Sequence, residues 1–179
     1  MPRSSRRDAS AAVARSTLHI LTAIGARRVG AYVATEGELD PAPIVHALWA
    51  CGVSVYLPIA ASMPTDRVLA FAAHTAAQPL EPGAFGIARP PASAPLHSPR
   101  ELDAVLLPLV AFDDRGTRAG RGAGYYDITF AARIATATPP LLIGLAYHWQ
   151  KVDRFARNVW DVPLDVAITD RSIFWFQPR

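Results

Sequence analysis

The sequence predicts an α/β fold, a three-layer sandwich with a mostly parallel central sheet and helices on both faces. Segments of helical spacing alternate with short apolar runs along most of the chain, the pattern of crossover units whose handedness keeps strands parallel. The run LDAVLLPLVAF, residues 102–112, is apolar almost throughout, as a strand covered on both faces should be. A chain of 179 residues suits one substantial core and is short for two, so residues 1–179 read as a single domain.

From Ser5 to about Thr22 the apolar residues Val13, Leu18 and Leu21 recur at helical spacing, with Arg7 and Arg15 on another face and Gly25 beyond the end. RRVGAYVAT follows as a strand through Val29, Ala31 and Val33. Pro41 and Pro43 open a second helix, PAPIVHALWA, which stops at Gly52; VSVYLP is the next strand, closed by Pro58. RVLAFAA is compatible with a strand. PLEPGAFGIARPPASAPLHSP, residues 79–99, reads as a fixed, meandering surface loop, long enough to carry function. Beyond residue 112 the pattern gives a glycine loop, a helix from about Gly124 to Ala135, the strand PLLIGLAY, a short helix near Trp149 to Phe155, and strands at DVAIT and SIFWF.

Composition sets limits on function. Half the residues are hydrophobic (51%) and 18% are charged, as in a folded soluble protein. Pro58, Pro108 and Pro139 interrupt every run approaching the roughly 18 apolar residues of a membrane span. The basic start MPRSSRRDAS has no apolar segment of signal-peptide type behind it, so a cytoplasmic location is expected. Lys151 is the lone lysine among 18 basic residues, so a cation that meets phosphate here is expected to be arginine. The basic residues are dispersed, without the stripe and interleaved aromatics of a nucleic-acid surface; a monomer with small-molecule ligands is expected. Cys51, the single cysteine, permits no internal disulfide and reads as a buried, inert thiol on an apolar helix. The five histidines show no ligand-like spacing.

The densest chemistry is RAGRGAGYYD, Arg118 to Asp127. A glycine-rich loop between a buried strand and a helix can present backbone N–H groups and the helix dipole to an anion, and Arg118 and Arg121 would reinforce it. The same glycines could serve turn geometry alone. The loop is not of Walker type, because no Gly-Lys-Ser/Thr ends it. Tyr125 and Tyr126 read as one core and one surface ring, and Asp127 as a first-turn carboxylate. Asp127 and Asp165, the latter in WDVPLD, could share a magnesium ion if the fold brings them together.

The stretch LDAVLLPLVAFDDRGTRAGRGAGYYD resembles the signature of the 5-formyltetrahydrofolate cyclo-ligases, or methenyltetrahydrofolate synthetases. The resemblance continues in order through RRVGAYVATEGELD, GVSVYLP, FGIARPP, LLIGLAYHWQKVD and WDVPLDVAITD, covering nearly everything from Arg27 onward. It implies an α/β sandwich and an ATP- and Mg2+-dependent conversion of 5-formyltetrahydrofolate to 5,10-methenyltetrahydrofolate. ATP would phosphorylate the formyl oxygen, and ring closure would then expel phosphate, giving ADP and phosphate.

By this resemblance Arg118, Ala119, Gly120, Arg121, Gly122, Ala123, Gly124, Tyr125 and Tyr126 hold the ATP phosphates. Arg121 and Tyr125 serve catalysis, and with Gly122, Ala123 and Gly124 they also meet the folate. Glu38 binds the pterin-type ring, Val33 lines that pocket, and Asp127 and Asp165 take the magnesium positions. Three departures stand out: Ala123 where lysine or glycine is common, Ile128 where arginine is frequent, and a short N-terminus. Arg3 and Arg7, at i and i+4 on one helix face, are placed as the basic pair that would contact ATP. The departures motivate a second reading, a non-catalytic folate-binding paralogue that sequesters 5-formyltetrahydrofolate.

Overall fold

The computed structural model describes residues 3–60, 67–135 and 139–176. Its centre is an eight-stranded sheet built from β1 (Arg28–Gly30), β2 (Ser54–Ile59), β3 (Ala70–His74), β4 (Leu96–His97), β5 (Ala104–Pro108), β8 (Leu141–Ala146), β9 (Val166–Thr169) and β10 (Ile173–Trp175). The spatial order is β10-β9-β8-β5-β1-β2-β3-β4, and β6 (Ala111–Phe112) with β7 (Arg118–Ala119) forms a separate two-stranded ribbon. The five central strands, β2-β1-β5-β8-β9, pair in parallel, whereas β3, β4 and β10 are antiparallel additions at the two edges.

The chain leaves β1 toward β2 on one side and returns to β5 on the other. The C-terminal ends of β1 and β5 therefore flank a topological switch point, the crevice where open α/β sheets bind ligands.

Strand alternation divides the core. Ala104 and Leu106 of β5, Ile143 and Leu145 of β8, and Val166 and Ile168 of β9 face one side. There they meet α1 (Arg3–Ala23) through Val13 and Leu21, and α2 (Ala42–Ala50) through Ile44 and Leu48. Val105, Leu107, Leu142 and Ala167 face the other side, with Phe71, Phe112, Phe130 and Leu164. Gly144 is required there: an added Cβ would lie 2.6 Å from a Leu164 methyl and 2.9 Å from a Leu109 methyl.

The α/β sandwich is as expected, but the second face is covered differently. The helix expected from Gly124 to Ala135 is a five-residue α3 (Tyr125–Thr129) followed by a 3-10 turn at Ala131–Ile134. The helix expected near Trp149 is a single 3-10 turn, His148–Gln150. Both long helices thus share one face, and aromatic side chains on short turns close the other. Cys51 also departs from expectation: it caps the C-terminus of α2 and is exposed, because the apolar stripe of that helix ends at Leu48.

Candidate active site

A cleft of about 650 Å³ opens beyond β1. Its walls come from the segment after β1 (Tyr32, Val33, Thr35, Glu38, Asp40), from α1 (Arg6, Arg7), from α2 (His46, Trp49), and from His74 and Tyr147. The expected substrate residues Val33 and Glu38 and the expected nucleotide residue Arg7 therefore share one cavity. The side chain of Arg3 lies outside the described residues; Arg6, not singled out from the sequence, lines the cleft beside Arg7.

Glu38 is fixed by its own loop. Its Oε2 accepts the Thr35 N–H at 2.8 Å, and its Oε1 lies 3.4 Å from Nε of Arg121. The glycine loop thus reaches the segment after β1 across the switch point. Arg121 is anchored further by donating Nη2 to the Glu36 carbonyl at 2.7 Å, yet its side chain remains 56% exposed while that of Glu38 is 12% exposed. A fork of donors held at one end and open at the other suits a group that meets ligand charge. Gly122 and Gly124 adopt φ of +88° and +68°, a conformation costly for residues with a Cβ, and this lets the loop turn back toward the cleft. A five-residue helix sums too few peptide dipoles to serve as an anion site, so phosphate binding by this loop rests on Arg121 and backbone N–H groups.

Arg118 has a different employment. Its side chain is 6% exposed, bonds Oδ1 of Asp127 at 2.9 Å and lies over the Tyr126 ring at 5.5 Å. Asp127 Oδ1 also accepts the Val162 N–H at 3.0 Å. Asp165 receives the Arg133 guanidinium in a fork, at 2.6 and 3.0 Å, together with the Leu142 N–H at 2.6 Å. Asp165 sits beside Leu142 at the entrance of β8, whereas the Glu38–Arg121 pair lies beyond the C-terminal end of β1. Among the described residues no group of three or more His, Cys, Asp or Glu side chains gathers to hold a metal; Asp127 and Asp165, the expected magnesium positions, are each paired with an arginine, and a magnesium ion held there would take its remaining ligands from water and phosphate.

Tyr125 meets the proline-rich excursion. Reciprocal backbone bonds between Glu81 and Arg89 (2.8 and 2.9 Å) pin that loop, and Phe85 at its tip points an exposed ring at Tyr125, 6.3 Å between centroids. Phe85 holds φ +58°, an uncommon conformation for a non-glycine residue. Tyr126 packs, partly buried, against the second core, stacked at 6.5 Å on Phe130; desolvation pushes its phenol well above the ordinary value, only partly offset by Arg118.

The histidines that look scattered along the chain are partly gathered by the fold. His46 and His74 flank Trp49 at 5.6 and 5.2 Å, and the Trp49 indole N–H donates to the His74 carbonyl at 3.0 Å. Burial lowers the His74 pKa, outweighing a hydrogen bond with Gln78, and its Nδ1 is buried without a partner. No local spacing could announce this group, since His74 lies 25 residues from Trp49.

Residues 1–170 match the model of the 5-formyltetrahydrofolate cyclo-ligase family. The chain is 32% identical over 158 residues to the 5-formyltetrahydrofolate cyclo-ligase of Haemophilus influenzae, covering 88% of this chain and 83% of that one. It is 31% identical over 150 residues to the Escherichia coli K12 protein of the same name, covering 83% and 81%. The NMR structure of Aquifex aeolicus 5,10-methenyltetrahydrofolate synthetase superposes with a TM-score of 0.79 at 28% identity, covering 99% of this chain and 86% of that one. On sequence and fold alike, the chain belongs to the 5-formyltetrahydrofolate cyclo-ligase family.

Proposed function

We propose that the cleft at the β1–β5 switch point binds 5-formyltetrahydrofolate and ATP side by side and joins their chemistry through Arg121. The reaction is the conversion of 5-formyltetrahydrofolate to 5,10-methenyltetrahydrofolate. The observation that carries the site assignment is the 3.4 Å contact between Arg121 on the glycine loop and Glu38 beside the cleft. It joins the loop assigned to nucleotide with the carboxylate assigned to folate.

Glu38, with Oε2 held by the Thr35 amide, presents Oε1 as an acceptor for the paired N–H groups of a pterin-type ring. Val33 lines the wall beside it. The oxygen of a formyl amide is a poor leaving group, so ATP phosphorylates it, the second folate nitrogen attacks the activated carbon, and phosphate departs. Such a transfer depends on in-line positioning and charge neutralisation more than on covalent protein chemistry. Arg121 supplies a charge-assisted donor to the transferring phosphoryl group, helped by N–H groups from Gly120 to Gly124. Arg6 and Arg7 hold the outer phosphates, and Tyr125 faces the formyl position opposite Phe85. Arg118, Asp127 and Asp165 keep the loop and the second face in place.

Among the described residues no helix is long and apolar enough to cross a membrane; we place the enzyme in the cytoplasm, acting as a monomer on small molecules without nucleic acid. The test is the absorbance of the methenyl product from 5-formyltetrahydrofolate, with and without ATP. Formation only with ATP, at one ADP per product, is expected. Folate binding without ATP consumption would overturn the catalytic reading in favour of a sequestering paralogue.

A further inference from the structure

The side chain of Tyr32 reaches along its own chain to Leu39. Its phenol donates to the Leu39 carbonyl at 2.6 Å across a separation of seven residues, and both residues are buried, 4% and 1% exposed. Between the two ends runs the turn that carries Glu38. That turn closes on itself: the Glu38 N–H donates to the Thr35 carbonyl at 3.1 Å, and the Thr35 N–H donates to Glu38 Oε2 at 2.8 Å. Gly37 supplies the reversal at φ +87°.

A turn closed on itself must still be fixed to the body of the protein. On its outer side Arg121 donates to the Glu36 carbonyl, from a side chain 56% exposed, and a ligand that draws Arg121 to its own charge releases that hold. On the inner side the tie is the Tyr32 bond, which is buried and shut away from ligand. Burial holds the Tyr32 phenol far above its ordinary value, with the charge of Glu38 next in effect, so the hydroxyl stays a neutral donor at and well above neutral pH. Asp40, the other carboxylate of this segment that lines the cleft, has Oδ1 engaged by the Ala42 N–H at 2.9 Å where α2 begins. Glu38 is thus the cleft carboxylate whose direction depends on the turn.

Resting on the folate role proposed for Glu38, we propose that Tyr32 is a positioning residue for the substrate: its bond to the Leu39 carbonyl fixes the turn 35–38, so that Glu38 Oε1 keeps the direction in which it meets the folate ring when Arg121 leaves for a ligand. Direction matters here because hydrogen bonds weaken steeply as they bend, and a carboxylate facing paired N–H groups must satisfy both. Loss of the hydroxyl therefore weakens folate through Glu38. Nucleotide, held by Arg6, Arg7 and the glycine loop, is left nearly unchanged.

The experiment is a double-mutant cycle on Tyr32→Phe and Glu38→Ala, with 5-formyltetrahydrofolate and ATP binding measured by calorimetry beside steady-state constants and melting temperatures. Tyr32→Phe keeps the ring and removes only the hydroxyl. It is expected to weaken folate binding about fivefold, the scale of one neutral hydrogen bond, while the ATP constant and kcat at saturating substrate stay within about twofold. In the Glu38→Ala background, where no carboxylate remains to be directed, the same change should alter folate binding by less than about twofold. A lower melting temperature without a folate-specific loss, or an equal folate loss with and without Glu38, would overturn the proposal. So would a Tyr32→Phe chain that does not fold, since the hydroxyl would then be a determinant of the fold itself. If Glu38→Ala leaves folate binding unchanged, the folate role of Glu38 falls and the role of Tyr32 with it; if Glu38→Ala weakens folate and Tyr32→Phe does not, the Tyr32 proposal alone falls.

Discussion

Two regions of this protein use the same pairing, arginine with carboxylate, for opposite purposes. On the second face of the sheet, Arg118–Asp127 and Arg133–Asp165 are shielded, with arginine side chains 6% and 9% exposed, and each carboxylate also takes a backbone N–H. Beyond β1, Arg121–Glu38 is a single contact at 3.4 Å, with the arginine side chain 56% exposed. Pairs whose guanidinium is shielded and whose carboxylate also takes a backbone N–H are built to hold structure. An open pair can exchange its partner for a ligand at little cost, because water and ligand compete on similar terms with an exposed ion pair.

The largest effect that would sharpen this contrast is on stability. Arg133→Ala leaves Asp165 partly buried at the foot of β8 and β9 with its guanidinium fork gone, and should cost on the order of 3 kcal/mol, near the lower end for breaking a buried pair. Denaturant unfolding of the variant reads this directly; a change below about 0.5 kcal/mol would class the pair with exposed ones. Next, the double variant Arg6→Ala/Arg7→Ala should raise the apparent ATP constant about tenfold or more, the scale of losing charge-assisted bonds, with little effect on folate. Equal losses for both ligands in calorimetry would show that the two arginines shape the cleft as a whole. Glu38→Gln keeps the side-chain shape but replaces one acceptor with a donor, and should weaken 5-formyltetrahydrofolate binding about tenfold, with a smaller change for ATP.

The smallest effect concerns pH. His74 has a folded pKa below its ordinary 6.5, because burial disfavours the charged ring. The unfolded chain therefore binds this proton first. Stability from a neutral His74 is complete above about pH 6.5 and declines as pH falls from there toward the folded value. Thermal melts between pH 7.5 and 5 should show this slope, and His74→Gln should flatten it; an identical slope in the variant would assign it elsewhere.

Much of the frame was legible because it depends on local pattern. β5 alternates Ala104 and Leu106 against Val105 and Leu107 between two cores, and an apolar run covered on both faces carries that information in the sequence itself. The glycine loop was legible for a similar reason, since positive φ at Gly122 and Gly124 demands those residues. From composition and spacing alone, apart from the family resemblance, which arginine of the loop turns outward was not legible. Arg118 sits in the β6–β7 ribbon and turns inward to Asp127, while Arg121, three residues on, turns outward. Composition cannot separate them, because the choice is made by Tyr126 and Val162, which close around Arg118 and Asp127. The same limit hid Arg6, Tyr147 and His74, which strands and helices far apart in sequence bring to one cavity. Cys51 escaped because a helix end exposes residues that an apolar stripe, read alone, would bury.

The measurement that tests the contrast most directly takes turnover and melting temperature together for Arg121→Ala and Arg133→Ala. Arg121→Ala should lose on the order of a hundredfold or more in ATP-dependent methenyl formation while melting within a degree or two of the wild type. Arg133→Ala should melt well below it and, held at a temperature where it is folded, keep most of its turnover. A lower melting temperature with near-normal turnover for Arg121→Ala would contradict the account, making the open pair one more structural clamp.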